Sequence, residues 1–323
     1  MLYPLKFKPI FKQRIWGGDT FARSGLKLPK NTDPHTVGEC WTVSGVEGDL
    51  SVVAAGFLKS NNIQELIEVY MGDLVGEAVY ETYGLEFPVL VKIIDARQLL
   101  SVQVHPDDDL AQARHDCRGK TEMWYVIDCQ PDSFLYAGFN RDVTREEYLL
   151  AQQNGSLTDL LQKHNVRKGD AFIIPAGTVH ALGPGLLIAE IQETSDITYR
   201  ISDWNRVDAD GNPRQLHTAE ALDAIAFGDR RQLKLSTDTA PDSARQIVST
   251  PFFTTSILRC ASRIHRDYAL TDSFVIYVCT EGKLEISTEI GTATVAQFES
   301  ILLPAEADEA TITGSGTLLE IHM

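Results

Sequence analysis

The arrangement of apolar and polar positions along the chain predicts mostly short β-strands. Apolar stretches of strand length end at glycine, proline or polar turns, as in GECWTVSG at 38–45 and DAFIIPAG at 170–177. Two stretches, at 63–80 and 144–164, instead carry apolar residues at helical spacing, and the second begins with the Thr-x-x-Glu pattern of a capping box. The pattern therefore predicts a mainly β protein with a few helices in its first part.

A change in this pattern indicates a domain boundary near residue 230. Residues 229–247 are polar and lack periodicity, and beyond them the chain consists of short predicted strands and turns, which is typical of a sandwich or jelly roll. We therefore predict a larger first domain over 1–230, a linker over 231–247 and a C-terminal β domain over 248–323.

The two predicted domains share a weak internal repeat. ESILLPAEADEATITGSGTLLEI at 299–321 is similar to DAFIIPAGTVHALGPGLLIAEI at 170–191. When Pro304 is placed on Pro175, the position of His180 falls on Glu309. We expect the second domain to keep the shape of this β-element and to lack its chemistry.

Composition and charge narrow the possible partners. The 323 residues include 43% hydrophobic and 23% charged residues, which is ordinary for a soluble globular protein, and the apolar runs are too short to span a bilayer. A net charge of −16 argues against nucleic acid or an anionic membrane as the main partner, but a small anionic substrate remains possible. The first residues do not read as a signal peptide, and five cysteines without CxxC spacing suit a reducing cytoplasm.

One motif presents a single histidine at the end of an apolar strand. The spacing Gly169-x5-Pro175-x-Gly177-x2-His180 predicts a turn, a buried strand, a sharp stop and an imidazole aimed inward from a rigid wall. It resembles the second motif of cupins, which are small β-barrels of jelly-roll topology. A histidine taken alone is more often structural than a ligand, so the interpretation depends on its partners.

Two other strands supply those partners. Gln103 and His105 are two residues apart, as are Lys120 and Glu122, so each pair shares one face of a strand. Together with His180 they offer two imidazoles, a carboxylate and an amide oxygen, a mixed nitrogen and oxygen set suited to zinc. The alternative is that the amide and the carboxylate are surface groups and that His105 is a turn residue.

The motifs together resemble type I mannose-6-phosphate isomerases in their short bacterial form. The similarity covers most of residues 1–230 and is carried by WGG at 16–18, GECW at 38–41, FPVLVKIIDARQLLSVQVHPDD at 87–108, GKTEMWYV at 119–126, PAGTVHAL at 175–182 and AEIQETSDITYRISDWNR at 189–206. The resemblance implies two cupin-type jelly-roll or β-barrel domains, with the helices attached to the first. It also implies one zinc ion held by Gln103, His105, Glu122 and His180, and interconversion of mannose 6-phosphate and fructose 6-phosphate.

The resemblance implies roles for further side chains. An aldose–ketose isomerisation moves a proton between C1 and C2 through an enediol, so it needs a base and a stabiliser for the oxygens. Arg200 matches an active-site arginine of the family and would place positive charge beside the enediolate; the alternative is a salt bridge to Asp203 or Asp196. The base is Lys120 or Glu190, a choice that the sequence leaves open.

Substrate contacts are less well defined. Lys92 matches a lysine lining the family's pocket and, with Lys120, could hold the phosphate, while Ser101 is expected to contact the substrate. The chain departs from longer family members at Gly119, where they carry a histidine, so the group that opens the sugar ring is undefined.

The competing hypotheses for the function are a sugar-binding protein without turnover and an iron cupin oxygenase, which Gln103 fits poorly as a ligand. The oligomeric state is not predicted.

Overall fold

The computed structural model describes residues 2–207 and 211–323. Its helices are α1 Thr20–Arg23, α2 Ile63–Val75, α3 Glu77–Tyr83, α4 Asp108–His115, α5 Arg145–Asn154 and α6 Thr218–Ala224, with a 3-10 turn at Leu157–Leu160. Its strands are β1 Ile10–Gly18, β2 Val37–Val43, β3 Val89–Ala96, β4 Val102–Val104, β5 Glu122–Cys129, β6 Phe134–Phe139, β7 Leu161–Asn165, β8 Ala171–Ile174, β9 His180–Leu182, β10 Leu186–Glu193, β11 Tyr199–Ser202, β12 Lys234–Leu235, β13 Ser243–Ser249, β14 Thr254–Cys260, β15 Arg263–Asp267, β16 Val275–Thr288, β17 Gly291–Ala296, β18 Ser300–Leu303 and β19 Glu309–His322. The predicted mainly β class is confirmed.

The helical predictions hold in part. The stretch 63–80 forms the pair α2 and α3, which Gly76 separates with a φ of 95°. Thr144 caps α5 through the predicted capping box, but the helix predicted over 144–164 is too long. Gly155 adopts a left-handed conformation, with a φ of 72°, and ends α5, and Leu161–Asn165 is a strand.

The described residues cluster into two compact units that do not follow chain order. One unit comprises residues 11–40 and 93–235, and the other comprises 1–10, 41–92 and 236–323. The unit boundaries at 41 and 92 fall inside β2 and β3. Strand β12 and part of β13 lie in the segment predicted as a linker. The three-part division of the sequence at 230 and 247 stays a prediction.

The unit formed by 11–40 and 93–235 contains most of the two sheets that carry the chemistry. Strands are ordered β1-β2-β3-β10-β5-β8-β12 in the larger sheet and β11-β4-β9-β6-β7 in the smaller one, and neither sheet closes into a barrel. Val102, Val104 and Tyr199 of the smaller sheet belong to a hydrophobic core with residues of α5 and α6. Because side chains alternate along a strand, Gln103 and Arg200 point to the opposite face.

The C-terminal part of the other unit is a single sheet with its own core. Its strands are ordered β13-β14-β19-β16-β17, with β15 paired to β19 and β18 paired to β16. The predicted repeat is visible: Pro175 follows β8 and His180 begins β9, and Pro304 follows β18 and Glu309 begins β19. The Glu309 side chain is 64% exposed, so the copy keeps the strands and has no buried ligand there.

None of the helices in the described part of the chain is long and apolar enough to cross a membrane.

Candidate active site

Adjacent strands of the smaller sheet place three predicted site residues in one row. Arg200 on β11 lies opposite Gln103 on β4, and Gln103 lies opposite His180 on β9. Directly opposed residues of antiparallel strands project from the same face, so the three side chains are neighbours on the face turned away from the helices. His105 follows β4, two residues after Gln103, and contributes to the same side.

The larger sheet supplies the carboxylate. Glu122 begins β5 and is fully buried, as are the imidazoles of His105 and His180 at 1% exposure each. His105 Nε2 lies 3.5 Å from Glu122 Oε2, and His180 Nε2 lies 3.3 Å from Glu122 Oε1. Within residues 2–207 and 211–323, these three residues form the only group of three or more histidines, cysteines and acidic residues whose ligand atoms all lie within 4.8 Å of one another.

Backbone carbonyls fix the tautomer of both imidazoles. His105 Nδ1 lies 2.8 Å from the carbonyl of Ile197, and His180 Nδ1 lies 2.8 Å from the carbonyl of Thr178. A carbonyl only accepts, so each Nδ1 donates and each Nε2 turns a lone pair toward Glu122. Burial lowers the pKa of His180 to about 4, which keeps its ring neutral near neutral pH.

Gln103 completes the cluster through its side-chain amide. Its Nε2 lies 3.1 Å from His180 Nε2, and Ser101 Oγ donates to its Oε1 at 3.3 Å. A half-turn of the amide would bring Oε1 to the cluster and Nε2 to Ser101. The Ser101 hydroxyl can donate or accept, so it satisfies both orientations. The direct contact of Ser101 is therefore with Gln103, and its contact with substrate stays a prediction.

This donor set fits a divalent metal ion. Two imidazole nitrogens and one carboxylate converge in a buried space with no thiolate among them, and a half-turn of the Gln103 amide would add an oxygen. Imidazole and carboxylate donors together suit metals such as zinc, and carbonyls bound to the distal imidazole nitrogens are the usual support for histidine ligands. The four residues predicted from the sequence are thus brought together.

Two of the predicted catalytic residues lie beside the cluster on the larger sheet. Lys120 is 3% exposed, and its Nζ lies 3.3 Å from Glu122 Oε2. Glu190 on β10 is 5% exposed and accepts a hydrogen bond of 2.9 Å from Trp124 Nε1. Lys120 thus lies just before β5, and Glu190 lies on β10, the strand paired with β5.

Arg200 is held by the loop that follows β11. Its Nη1 donates to the carbonyl of Gln215 at 2.9 Å, and its buried Nε has no hydrogen bond within the described residues. Asp203, the alternative partner, is ion-paired with Arg206 and Arg214 instead. Burial and the charge of Arg214 lower the pKa of the Arg200 guanidinium, which marks a site where positive charge is concentrated.

Lys92 belongs to the other compact unit. It is 5% exposed, and its Nζ lies 5.2 Å from the centroid of the Trp41 ring. Its predicted contact with substrate stays a prediction.

Gly119 has a packing reason to be glycine. A Cβ placed there would lie 2.6 Å from backbone atoms of Asp107 and Asp108, where α4 begins. The Gly119 amide also donates to Asp108 Oδ1 at 2.7 Å. A histidine therefore cannot stand at 119 unless the start of α4 moves away.

The sequence interpretation missed Trp124 and Glu193. The sequence analysis gives Trp124 no role of its own, although it lies two residues beyond Glu122 and so shares its face of β5. Glu193 ends β10, is 3% exposed and accepts a hydrogen bond of 2.6 Å from the Thr121 amide. Strand periodicity could have indicated Trp124, whereas the contact of Glu193 depends on the loop after β10.

Glu193 predicts a pH dependence of stability. Burial raises the pKa of its carboxyl from 4.5 to about 7, against the lowering effect of the Thr121 amide. The folded state therefore binds the proton more tightly than the unfolded one, so this contribution is fully present below pH 4.5 and is lost as the pH rises through 7. At pH 8 the free energy of unfolding of Glu193→Gln should exceed that of wild type by up to about 3 kcal/mol. This difference should vanish near pH 4. Urea unfolding across this range measures it, and identical pH profiles for the two proteins would contradict it.

Comparisons with known proteins point to one family. Residues 4–128 match the family described as phosphomannose isomerase type I, catalytic domain, and residues 244–323 match the mannose-6-phosphate isomerase cupin domain. Mannose-6-phosphate isomerase ManA of Bacillus subtilis is 42% identical over 226 residues, which cover 69% of this chain and 68% of that protein. The putative mannose-6-phosphate isomerase YvyI of the same organism is 32% identical over 99% of both chains.

Solved structures show the same fold over the whole length. The mannose 6-phosphate isomerase of Bacillus subtilis superimposes with a TM-score of 0.88, at 30% identity and 99% coverage of both chains. A phosphomannose isomerase of Salmonella typhimurium, 16% identical, has a TM-score of 0.80 with 99% of both chains covered, which supports the fold alone. From the matched sequences and the 30% identical structure, the chain belongs to the type I mannose-6-phosphate isomerase family.

Proposed function

We propose that the chain interconverts mannose 6-phosphate and fructose 6-phosphate as a zinc-dependent aldose–ketose isomerase of the cytoplasm. The observation that carries the proposal is the buried cluster in which the Nε2 lone pairs of His105 and His180 converge on the Glu122 carboxylate. A small sugar phosphate as the only partner is consistent with the net charge of −16, which disfavours nucleic acid and anionic membranes.

Gln103, His105, Glu122 and His180 would hold the zinc. When bound, the ion supplies a Lewis acid that polarises the carbonyl and hydroxyl oxygens of the sugar. The carbonyl partners of both histidines fix the tautomer and the orientation of the two rings, and Ser101 contacts the amide of Gln103. The protein thus sets the donor atoms in place before substrate arrives.

The proton moves from C2 of the aldose to C1 of the ketose, while a hydroxyl proton passes between the oxygens of the same two carbons. Lys120 would have to be a neutral amine to accept a proton, and it would then give up its ion pair with Glu122. A carboxylate needs no such change. We therefore assign the base to Glu190, and we assign to Lys120 the role of positive charge beside the cluster.

Arg200 supplies fixed positive charge from the smaller sheet. It lies opposite Gln103, and its guanidinium is anchored through one nitrogen on the carbonyl of Gln215. Because Asp203 is occupied by Arg206 and Arg214, the charge of Arg200 is not neutralised by an ion pair with that carboxylate. Such a group stabilises the negative charge that develops on the enediolate oxygens.

The test is isomerase activity on mannose 6-phosphate before and after chelation. We expect EDTA to lower kcat by about a hundredfold or more, and zinc added back to restore it. Metal content by mass spectrometry and circular dichroism on the same samples separate loss of metal from loss of fold. A folded chain with one zinc per molecule and no turnover would reject the isomerase and leave a sugar-binding protein as the better account.

A further inference from the structure

Trp124 connects the proposed base to the proposed metal site. It lies two residues beyond Glu122 on β5 and is directly opposite Glu190 on β10. Its indole is 1% exposed, and its Nε1 donates to Glu190 Oε2 at 2.9 Å. The indole also packs edge-on against the His180 ring, with centroids 5.3 Å apart and an interplanar angle of 77°.

The chemistry of an indole makes this hydrogen bond directional. The Nε1–H group can only donate, so its partner is an acceptor oxygen of the carboxyl group. A donor bonded to a buried carboxylate makes one of the stronger hydrogen bonds in a protein. The ring of His180 limits rotation of the indole, so the direction of the donor is fixed. One oxygen of Glu190 is thereby held in place.

A tryptophan that only filled the core would not require this donor. Phe172 lies opposite Trp124 on its other side, on β8, so an apolar ring is already accommodated at that level of the sheet. A phenylalanine at 124 would keep an aromatic ring beside His180, and it would lose the donor to Glu190 together with part of the ring volume. The substitution therefore separates packing from positioning.

We infer that Trp124 is a positioning residue for the isomerisation, an inference that rests on the proposed function. Its indole N–H holds the Glu190 carboxylate in the orientation needed to move the proton between C2 and C1. It does not touch the substrate itself, and it acts through Glu190.

The first test compares Trp124→Phe with wild type. We expect kcat to fall by about tenfold to a hundredfold, because misplacement of a reacting group by about 1 Å costs that much, with KM within about threefold and one zinc per chain. Trp204→Phe is the matched control, since its Nε1 donates to the carbonyl of Leu100 at 2.6 Å, and it should stay within about twofold of wild type. An unchanged kcat in folded, zinc-loaded Trp124→Phe overturns the inference.

A rescue variant distinguishes loss of the hydrogen-bond donor from a packing defect. In histidine, Nε2 occupies the place in the five-membered ring that Nε1 occupies in the indole. Trp124→His therefore restores a donor to Glu190 while losing the larger ring. We expect its kcat to exceed that of Trp124→Phe at equal zinc content, and a lower kcat in the histidine variant would contradict positioning.

A double-mutant cycle with Glu190→Gln tests whether Trp124 acts through Glu190. Adding Trp124→Phe to Glu190→Gln should change kcat by less than about twofold, whereas a full multiplicative loss would overturn the inference. The indole N–H resonance of Trp124, assigned by NMR with the Phe variant, should move in Glu190→Gln, and a resonance that stays in place would also overturn it. This signal needs no turnover, so an inactive wild type rejects the proposed function separately.

Discussion

Replacement of Glu122 by glutamine is expected to remove both zinc and isomerase activity. Glu122 supplies the negative charge among the four candidate ligands, and its two oxygens face His105 Nε2 and His180 Nε2. Without that charge, the buried ammonium of Lys120 at 3.3 Å and a divalent ion would repel each other with no intervening carboxylate. We expect kcat to fall about a thousandfold or more, and zinc to drop well below one per chain by mass spectrometry.

Glu39→Gln provides the matched control for this substitution. Glu39 is also a buried glutamate, it is ion-paired with Arg14 at 2.8 Å, and it is not among the candidate ligands. Its variant should keep zinc and kcat within about twofold of wild type, at a modest cost in stability. A Glu122→Gln protein that isomerises mannose 6-phosphate at the wild-type rate without zinc would rule out the assigned metal site.

Replacement of Arg200 by glutamine should affect the rate and spare the metal. Arg200 lies on the same sheet face as Gln103 and His180 but is not among the candidate ligands. Its loss removes fixed positive charge from the developing enediolate, so we expect kcat to fall by about a hundredfold to a thousandfold with one zinc per chain retained. Steady-state kinetics with parallel metal analysis measures both quantities.

The contrast in zinc content between Glu122→Gln and Arg200→Gln distinguishes a metal ligand from a group that acts on the substrate. Arg114→Gln serves as the control for loss of an arginine, because Arg114 forms an exposed ion pair with Asp223 and is outside the site. If Arg200→Gln lowered zinc content as strongly as Glu122→Gln, the arginine would have a structural role at the cluster. If it left kcat unchanged, the enediolate would be stabilised by another group.

Much of the candidate metal site could be predicted because the shared faces of its residues follow from strand periodicity. Gln103 with His105, and Lys120 with Glu122, share faces because the members of each pair are two positions apart, and the turn at Gly177, with a φ of 83°, aims His180. The short strands were also predictable, because glycine and proline mark their ends. The end of α5 was not, since a left-handed glycine at 155 overrides a helical pattern that continues beyond it.

The supporting contacts could not be predicted from local sequence. The Ile197 carbonyl that bonds to His105 is distant in sequence, and the indole that bonds to Glu190 depends on the register of β5 against β10. The composition of the compact units is likewise non-local, since residues 41–92 cluster with the C-terminal residues 236–323. Such features follow from tertiary packing, which overrides patterns read along one segment.

The two histidines of the cluster differ in how early in folding they become competent to bind metal. His180 receives its carbonyl from Thr178, two residues away in the same turn, so this half of the site can form as soon as that turn forms. His105 receives its carbonyl from Ile197, 92 residues away, and it lies opposite a carboxylate from another sheet. Closing so long a loop costs chain entropy, so we expect the full set of donors to exist only once the fold is complete, and a metal ion to enter an assembled scaffold rather than nucleate it.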